Sequence, residues 1–454
     1  MGKLFGTDGI RGAANQYPLT AEMALRVGRA VASIFRRTNG QTKIIIGKDT
    51  RESCDMLESA LASGICSAGA VACLTGILPT PAVAYLTSAI DACAGIMISA
   101  SHNPFYDNGI KIFDGGGFKL NDHTEKQLEY LILDKHLNDA GSKSVLNAGS
   151  VEKFKDAGER YLDFLRNTLP VKTVFNDMKI IVDCSNGATY KVAPLLFHNL
   201  GAQVETIGAN PDGQNINAGC GSESPQILMD AVMAKKADIG LAFDGDGDRL
   251  VAVDENGRLV TGDRILAIFA KAFKQKGLLK NNVVVSTVMS NLGLQLALKN
   301  LGIRYVIAPV GDRYVLQMMQ ENGAIIGGED SGHMIFLDRH TTGDGMLAAI
   351  ELLKIMHDES KPLSELSRVM KAFPQVLLNI EVKDKPDIKN VPQVKDAIRC
   401  VEDMLGEQGR VLVRYSGTQP LCRVMVEGPV EEETRRYCQQ IADVVKAALG
   451  SNLP

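Results

Sequence analysis

The chain has no basic block, no basic stretch interleaved with aromatics, and a formal net charge of only -4 from Lys+Arg 49 against Asp+Glu 53. Holding a nucleic-acid backbone needs a concentrated positive face, so nucleic acid is not an expected partner. No apolar run approaches the roughly 18 residues that a bilayer-crossing helix requires. The opening Met1-Gly2-Lys3-Leu4-Phe5-Gly6-Thr7-Asp8 lacks the apolar core of a secretory leader, and Gly6 stands where a myristoylation signal wants Ser or Thr. No membrane and a cytoplasmic setting are therefore expected. The nine cysteines form no C-x-x-C pair and show no metal-ligand spacing, and an odd number does not complete a disulfide framework, so reduced, buried thiols are expected. There is no Walker A segment and no Gly-x-Gly-x-x-Gly, which leaves no sign of a nucleotide donor. Gly-x-Ser-x-Gly is missing too, and with it the case for an acyl-transfer serine.

What remains is an ordinary globular composition, 45% hydrophobic and 22% charged, over 454 residues. That length suggests about three domains at roughly 150 residues each. Three times a hydrophobic strand opens a unit, helical periodicity follows, and a second strand runs into a glycine-rich or polar loop. The first unit begins at Lys43-Ile44-Ile45-Ile46 and reaches Gly95-Ile96-Met97-Ile98-Ser99-Ala100-Ser101-His102-Asn103-Pro104. The second runs from Lys179-Ile180-Ile181-Val182 to Asp244, and the third from Val283-Val284-Val285 to Gly328-Glu329-Asp330-Ser331-Gly332-His333. Such alternation implies mostly parallel sheets with helices outside, and three polar loops delivered alike suggest one cleft. Polar joints are expected at 138–150 and 254–257. Beyond Ala372-Phe373-Pro374 the pattern becomes a smaller α+β domain, with strands near 377–382, 410–414 and 422–427 and helices near 391–405 and from 431.

The most informative stretch is Asp244-Gly245-Asp246-Gly247-Asp248-Arg249. Glycines between three alternate carboxylates let the turn converge them on one point, a donor set for a hard divalent cation. Arg249 then balances charge or grips an anion. An EF-hand fails as a reading, because its sixth position needs glycine where Arg249 stands and its flanks need helices where these are strands. An aspartyl-nucleophile phosphatase would resemble Asp-x-Asp-Gly-Thr, which this turn does not. Ser101, taken alone, reads as a turn-capping serine. Together with a separate carboxylate turn it suits phosphoryl transfer, in which a metal neutralises phosphate oxygens. Tyr415-Ser416-Gly417-Thr418-Gln419-Pro420, bracketed by Arg414 and Arg423, offers hydroxyls, amides and two cations to a phosphate dianion, or forms a plain hairpin turn.

These four loops, in this order, resemble the signature loops of the α-D-phosphohexomutases, and together they span the chain. Leu4-Phe5-Gly6-Thr7-Asp8-Gly9-Ile10-Arg11-Gly12 resembles the branch of that family acting on glucosamine phosphates. The fold implied is three similar α/β domains with mixed, mostly parallel sheets around a central cleft, plus a C-terminal α+β domain similar to the TATA-binding-protein sheet. Expected limits are 1–151, 152–256, 257–370 and 371–454.

The resemblance implies that Ser101 is a phosphoserine and that Asp244, Asp246 and Asp248, with a phosphoserine oxygen, bind one Mg2+. Glu329 and Ser331 would hold sugar hydroxyls, with His333 supporting their loop. Arg414, Ser416, Gly417, Thr418 and Arg423 would hold the phosphate that is not reacting. Arg11, His102 and Lys111 would line the reacting centre, with Arg249 nearby. Lys111 reads either as a solvated surface lysine or as a group whose pKa nearby charge shifts toward catalysis, and His102 equally as a loop support or a proton acceptor. The implied substrate is a small sugar phosphate, glucosamine 1,6-bisphosphate is the intermediate and activator, and a homodimer is the assembly considered. Gln419 replaces the family's usual Glu, and Asp330 is a candidate reader of a 2-ammonium group. Mannose- and glucose-phosphate mutases share this chemistry. A sugar-phosphate sensor would lack the nucleophile or its metal ligands, and both are present here.

Overall fold

The computed structural model describes residues 4–6, 8–134, 148–170, 173–416 and 420–450. Thr7, Gly417, Thr418 and Gln419 lie outside them, as does most of the joint expected at 138–150. The described residues form two compact units, one from residues 1–289 and 303–368, the other from 290–302 and 369–454.

The first unit holds three sheets. Strands β1 (Ile10–Ala13), β2 (Lys43–Lys48), β3 (Val71–Ile77), β4 (Ala94–Ile98), β5 (Asp107–Asp114) and β6 (Val151–Lys153) pair in the order β1-β5-β4-β2-β3-β6. The second sheet, ordered β11-β10-β9-β7-β8, contains β7 (Lys179–Asp183), β8 (Gln203–Ile207), β9 (Ile239–Phe243), β10 (Leu250–Asp254) and β11 (Leu259–Val260). The third contains β12 (Val283–Thr287), β13 (Arg304–Ala308), β14 (Ile326–Gly328) and β15 (Met334–Phe336), ordered β13-β12-β14-β15.

The same core recurs in each sheet. A fully or nearly fully buried strand, β2, β7 or β12, has a parallel neighbour on either side. One neighbour, β4, β9 or β14, is followed at once by an antiparallel return strand. The sheets are therefore mixed. The Val- and Ile-rich runs behave as strands covered on both faces. Each signature loop leaves the carboxyl end of the strand beside that return, where open α/β sheets bind ligands.

One helix, Gly345–Glu359, is buried along most of its length because it is apolar nearly all round. It packs on the helix Gly262–Gln275, on β9 and β10, and on the helix Ala157–Asn167. Its N-cap, Asp344, accepts from Leu347 N at 3.0 Å and from the Tyr161 hydroxyl. The ring of Phe164 stacks on Tyr85 at 4.2 Å and meets His340 edge-on at 5.4 Å. Residues from all three sheets' segments thus lock into one body.

The second unit contains a three-stranded antiparallel sheet, β16 (Gln375–Glu381), β18 (Leu421–Glu427) and β17 (Arg410–Tyr415), with the helices Pro392–Leu405 and Glu431–Leu449. These agree with the expected elements to within two residues. The helix Leu292–Asn300 belongs to this unit, although its place in the sequence lies between β12 and β13. Leu292 N donates to Glu427 Oε2 at 3.0 Å, and Asn291 exchanges hydrogen bonds with Phe373. All nine cysteines are free thiols, seven of them buried, with Cys66 half-buried and Cys400 exposed. Among the described residues no helix is long and apolar enough to cross a membrane.

Candidate active site

Ser101 follows β4 with a left-handed backbone, φ 55°, and is 2% exposed. Its hydroxyl donates to Asp244 Oδ2 at 2.5 Å, and its Oγ lies 3.2 Å from His102 Nδ1. The sequence-predicted serine and carboxylate turn, 143 residues apart, therefore meet. Carboxylate oxygens of Asp244, Asp246 and Asp248 lie within 4.8 Å of one another, and all three residues are buried. The two glycines of the turn do different work. Gly247 takes the left-handed backbone, φ 72°, whereas Gly245 is needed for close approach, since a Cβ there would come within 2.5 Å of Ser101 O.

Three buried carboxylates in one place are costly without a cation. Asp246 Oδ1 and Asp248 Oδ1 are buried without a hydrogen-bond donor, although His333 Nδ1 stands 3.6 Å from the latter. The other oxygen of Asp246 is occupied by the Thr80 hydroxyl and by Lys111 Nζ at 2.8 Å. Open hard oxygens converging from one turn fit a hard divalent cation. Burial, then Asp248 and Asp246, push the Asp244 carboxyl well above the usual range. Burial would raise Asp248 as well, but Lys111, His333 and Arg249 outweigh it and hold Asp248 well below that range.

Lys111, on β5 and 2% exposed, is not a surface lysine. Its Nζ lies 2.8 Å from Asp246, 3.1 Å from Asp8 and 3.3 Å from Asp248. Burial alone would lower its pKa, yet Asp246, Asp8 and Asp248 raise it well above the ordinary value. Burial, with Arg249 and Arg11, lowers His102 to about 4, leaving a neutral imidazole beside the serine hydroxyl. Arg11 pairs with Asp8 and reaches Ala100 O at 3.5 Å. Arg249 pairs with Glu223 at 3.0 Å.

In the third loop, Glu329 Oε1 accepts from Gly311 N at 3.2 Å, and burial raises its carboxyl. The Ser331 hydroxyl is buried without a partner. His333, 3% exposed, stands between Asp248 and Asp312, 3.6 Å from each. Asp330 is exposed and accepts from Asp263 N at 3.2 Å in the first turn of the helix Gly262–Gln275. It caps that helix.

In the second unit, Arg414 and Arg423 face each other directly across β17 and β18. Like charges in opposition destabilise a sheet unless an anion lies between them. Burial and Arg423 lower the Arg414 pKa, and Arg423 Nε is buried without an acceptor. Ser416 is buried, its N–H bonded to Leu421 O and its carbonyl to Lys385 Nζ at 2.7 Å.

Several site residues carry no sequence signal of their own. Thr80, Lys119, Asp312 and Glu223 in the first unit, and Lys385 in the second, are isolated polar residues outside any spacing rule. Asp8 pairs with Lys111, Lys119 and Arg11, and Lys119 pairs in turn with Asp312. Asp8 itself lies in the glycine-flanked stretch 4–12 that the sequence singles out.

Four regions match the phosphoglucomutase/phosphomannomutase family. Residues 2–138, 159–257 and 261–373 match its alpha/beta/alpha domains I, II and III, and residues 377–444 its C-terminal domain. The chain is 58% identical over 450 residues to a phosphoglucosamine mutase of Syntrophobacter fumaroxidans and 56% identical over 450 residues to one of Syntrophus aciditrophicus. Both alignments take in 99% of this chain and 100% of the relative. A solved phosphoglucomutase/phosphomannomutase family protein from Burkholderia thailandensis superposes with a TM-score of 0.79 at 25% identity, over 97% of this chain and 96% of that one.

Proposed function

Because the chain belongs to the phosphoglucomutase/phosphomannomutase family, we propose that it interconverts glucosamine 6-phosphate and glucosamine 1-phosphate through a phosphoserine at Ser101 and a bound glucosamine 1,6-bisphosphate. The product feeds UDP-N-acetylglucosamine synthesis in the cytoplasm. Both phosphoglucosamine mutases named above carry that activity in their names, and the observation that carries the mechanism is Ser101 Oγ held 2.5 Å from Asp244.

In each half-reaction a phosphoryl group passes between Ser101 Oγ and a sugar hydroxyl. One oxygen–phosphorus bond forms as the other breaks, and the proton of the accepting hydroxyl ends on the departing oxygen. His102, neutral and 3.2 Å from Oγ, is the proposed carrier of that proton. Asp244, Asp246 and Asp248 would hold Mg2+, which when bound withdraws charge from the phosphoryl oxygens. Three carboxylates and a phosphoserine carry about -5 at neutral pH, so Lys111, Arg11 and Arg249 supply the further positive charge. Glu329 and Ser331 orient the sugar hydroxyls. Arg414, Ser416 and Arg423, with Gly417 and Thr418, hold the other phosphate, and Lys385 adds a third cation there.

The test is isomerisation of glucosamine 6-phosphate by the purified chain with Mg2+ and a trace of bisphosphate, beside mannose and glucose 6-phosphates. Preference for the glucosamine ester and its loss in Ser101→Ala are expected. Near-normal turnover by Ser101→Ala would refute the role of the serine, and a preference for another hexose would reassign the substrate.

A further inference from the structure

Two nitrogen donors from different sheets' segments close on the same pair of carbonyls behind Ser101. Arg51 Nη2 lies 3.2 Å from Ser101 O and 2.6 Å from Asn103 O. Asn217 Nδ2 lies 2.9 Å and 3.1 Å from those same two oxygens. Arg51 stands just beyond β2, in the serine's own domain. Asn217 lies in the stretch between β8 and β9, in the domain that carries the aspartate turn.

Both donors are themselves fixed. Arg51 pairs with Asp49, and neither side chain has any exposure. Asp49 also accepts from Ser99 Oγ at 2.6 Å, and Ser99 Oγ accepts from Ser101 N at 2.9 Å. Ser101 is thus held at its own N–H and at its own carbonyl. Asn217 has a left-handed backbone, φ 58°, and its N–H is bonded to Ser185 O at 2.8 Å. A Cβ on Gly245 would come within 2.5 Å of Ser101 O and 2.8 Å of Asn217 Nδ2, so the clamp sits where the metal turn meets the serine loop. A serine at φ 55° persists only where its surroundings over-determine it.

We propose that Asn217 and Arg51 are a positioning pair that sets Ser101 Oγ for phosphoryl uptake, Asn217 making that setting depend on the seating of the metal-bearing domain. The inference rests on the reading of Ser101 as the phosphoryl acceptor. In the step concerned, the Oγ–phosphorus bond forms, the sugar oxygen–phosphorus bond breaks, and the serine proton passes to the departing sugar oxygen. Neither Asn217 nor Arg51 touches the transferring group.

The experiment follows Ser101 phosphorylation by glucose 1,6-bisphosphate in the full chain with Mg2+, by rapid quench and intact mass, beside steady-state kinetics and thermal unfolding. Asn217→Gly keeps a left-handed backbone and deletes the donor. It is expected to slow uptake about ten-fold or more and to lower kcat in step, because small misplacements of a reacting atom are that costly, with KM and Tm close to wild type. Asn217→Asp, which sets a carboxylate against two carbonyls, is expected to be slower still. Arg51→Lys, which keeps the charge and loses the fork, makes the same test from the other side and decides it if Asn217→Gly does not fold. Uptake at the wild-type rate in these variants overturns the inference. So does a fall in rate matched by a fall in Tm, which would make the pair merely structural. A wild-type chain that takes no phosphoryl group on Ser101 overturns the proposed function first, and the inference with it.

Discussion

Lys111 donates to Asp246 and Asp248 and lies 3.1 Å from Asp8, so one buried ammonium serves three carboxylates. Removing one partner from a buried ionic cluster leaves charge uncompensated, at roughly 3–5 kcal/mol. Lys111→Met is therefore expected to lower the stability of the metal-free protein by about that much, with Mg2+ recovering part of it. Urea unfolding with and without Mg2+ checks this, and equal stability of variant and wild type would contradict it. At this scale much was legible in the sequence. Glycine-spaced aspartates and a serine in a strand-end loop announce their chemistry by type and spacing, and the structure brings them together. Thr80, Asn217 and Arg51 do not, because a lone Thr or Asn after a strand looks like any turn residue until its distant partner is known. The direction of the Lys111 shift was equally hidden, since it depends on three carboxylates contributed by two other loops.

The helix Thr80–Ala89 begins at the aspartate turn. Thr80 N donates to Asp246 O at 2.8 Å and its hydroxyl to Asp246 Oδ2, which leaves Oδ1 open. Groups that orient a metal ligand commonly contribute 10–100-fold in affinity. Thr80→Val is expected to weaken Mn2+ binding, measured by calorimetry, by about ten-fold or more, while Thr80→Ser stays near wild type; equal affinities would show that the hydroxyl does not orient Asp246. A second element-level prediction concerns the helix Gly262–Gln275. Since Asp330 caps its first turn, Asp330→Asn should leave the ratio of kcat/KM for glucosamine and glucose phosphates unchanged. A shifted ratio would return Asp330 to sugar recognition. Strands running into polar loops were readable from their Val and Ile runs. The grouping of the helix Leu292–Asn300 with the C-terminal sheet was not, because periodicity reports which face of a helix is apolar and not what covers it.

Across the first unit the three sheets' segments meet at His340, whose environment fixes one neutral tautomer. Nε2 donates to Pro81 O at 3.0 Å and Nδ1 accepts from Thr341 N at 2.7 Å, while burial lowers its pKa to about 4. A depressed folded pKa means a contribution to stability present above about pH 6.5 and lost as pH falls toward about 4, worth on the order of 3 kcal/mol. Asp344, 3.9 Å away and raised by burial to about 7, changes stability in the opposite sense over that range. The stability difference between wild type and His340→Gln subtracts it, and that difference should shrink steadily from pH 6.5 to 4; a constant difference would contradict the assignment. Contacts of this kind join residues more than 250 positions apart, beyond anything spacing reveals. The central claim also spans the molecule: Ser101 and the aspartate turn form one reacting centre. It is tested most directly by electron–nuclear double resonance on the phosphorylated protein loaded with Mn2+. A phosphorus hyperfine coupling of the size given by a directly coordinated phosphoryl oxygen is predicted, and bound Mn2+ with no such coupling to phosphoserine 101 would contradict it.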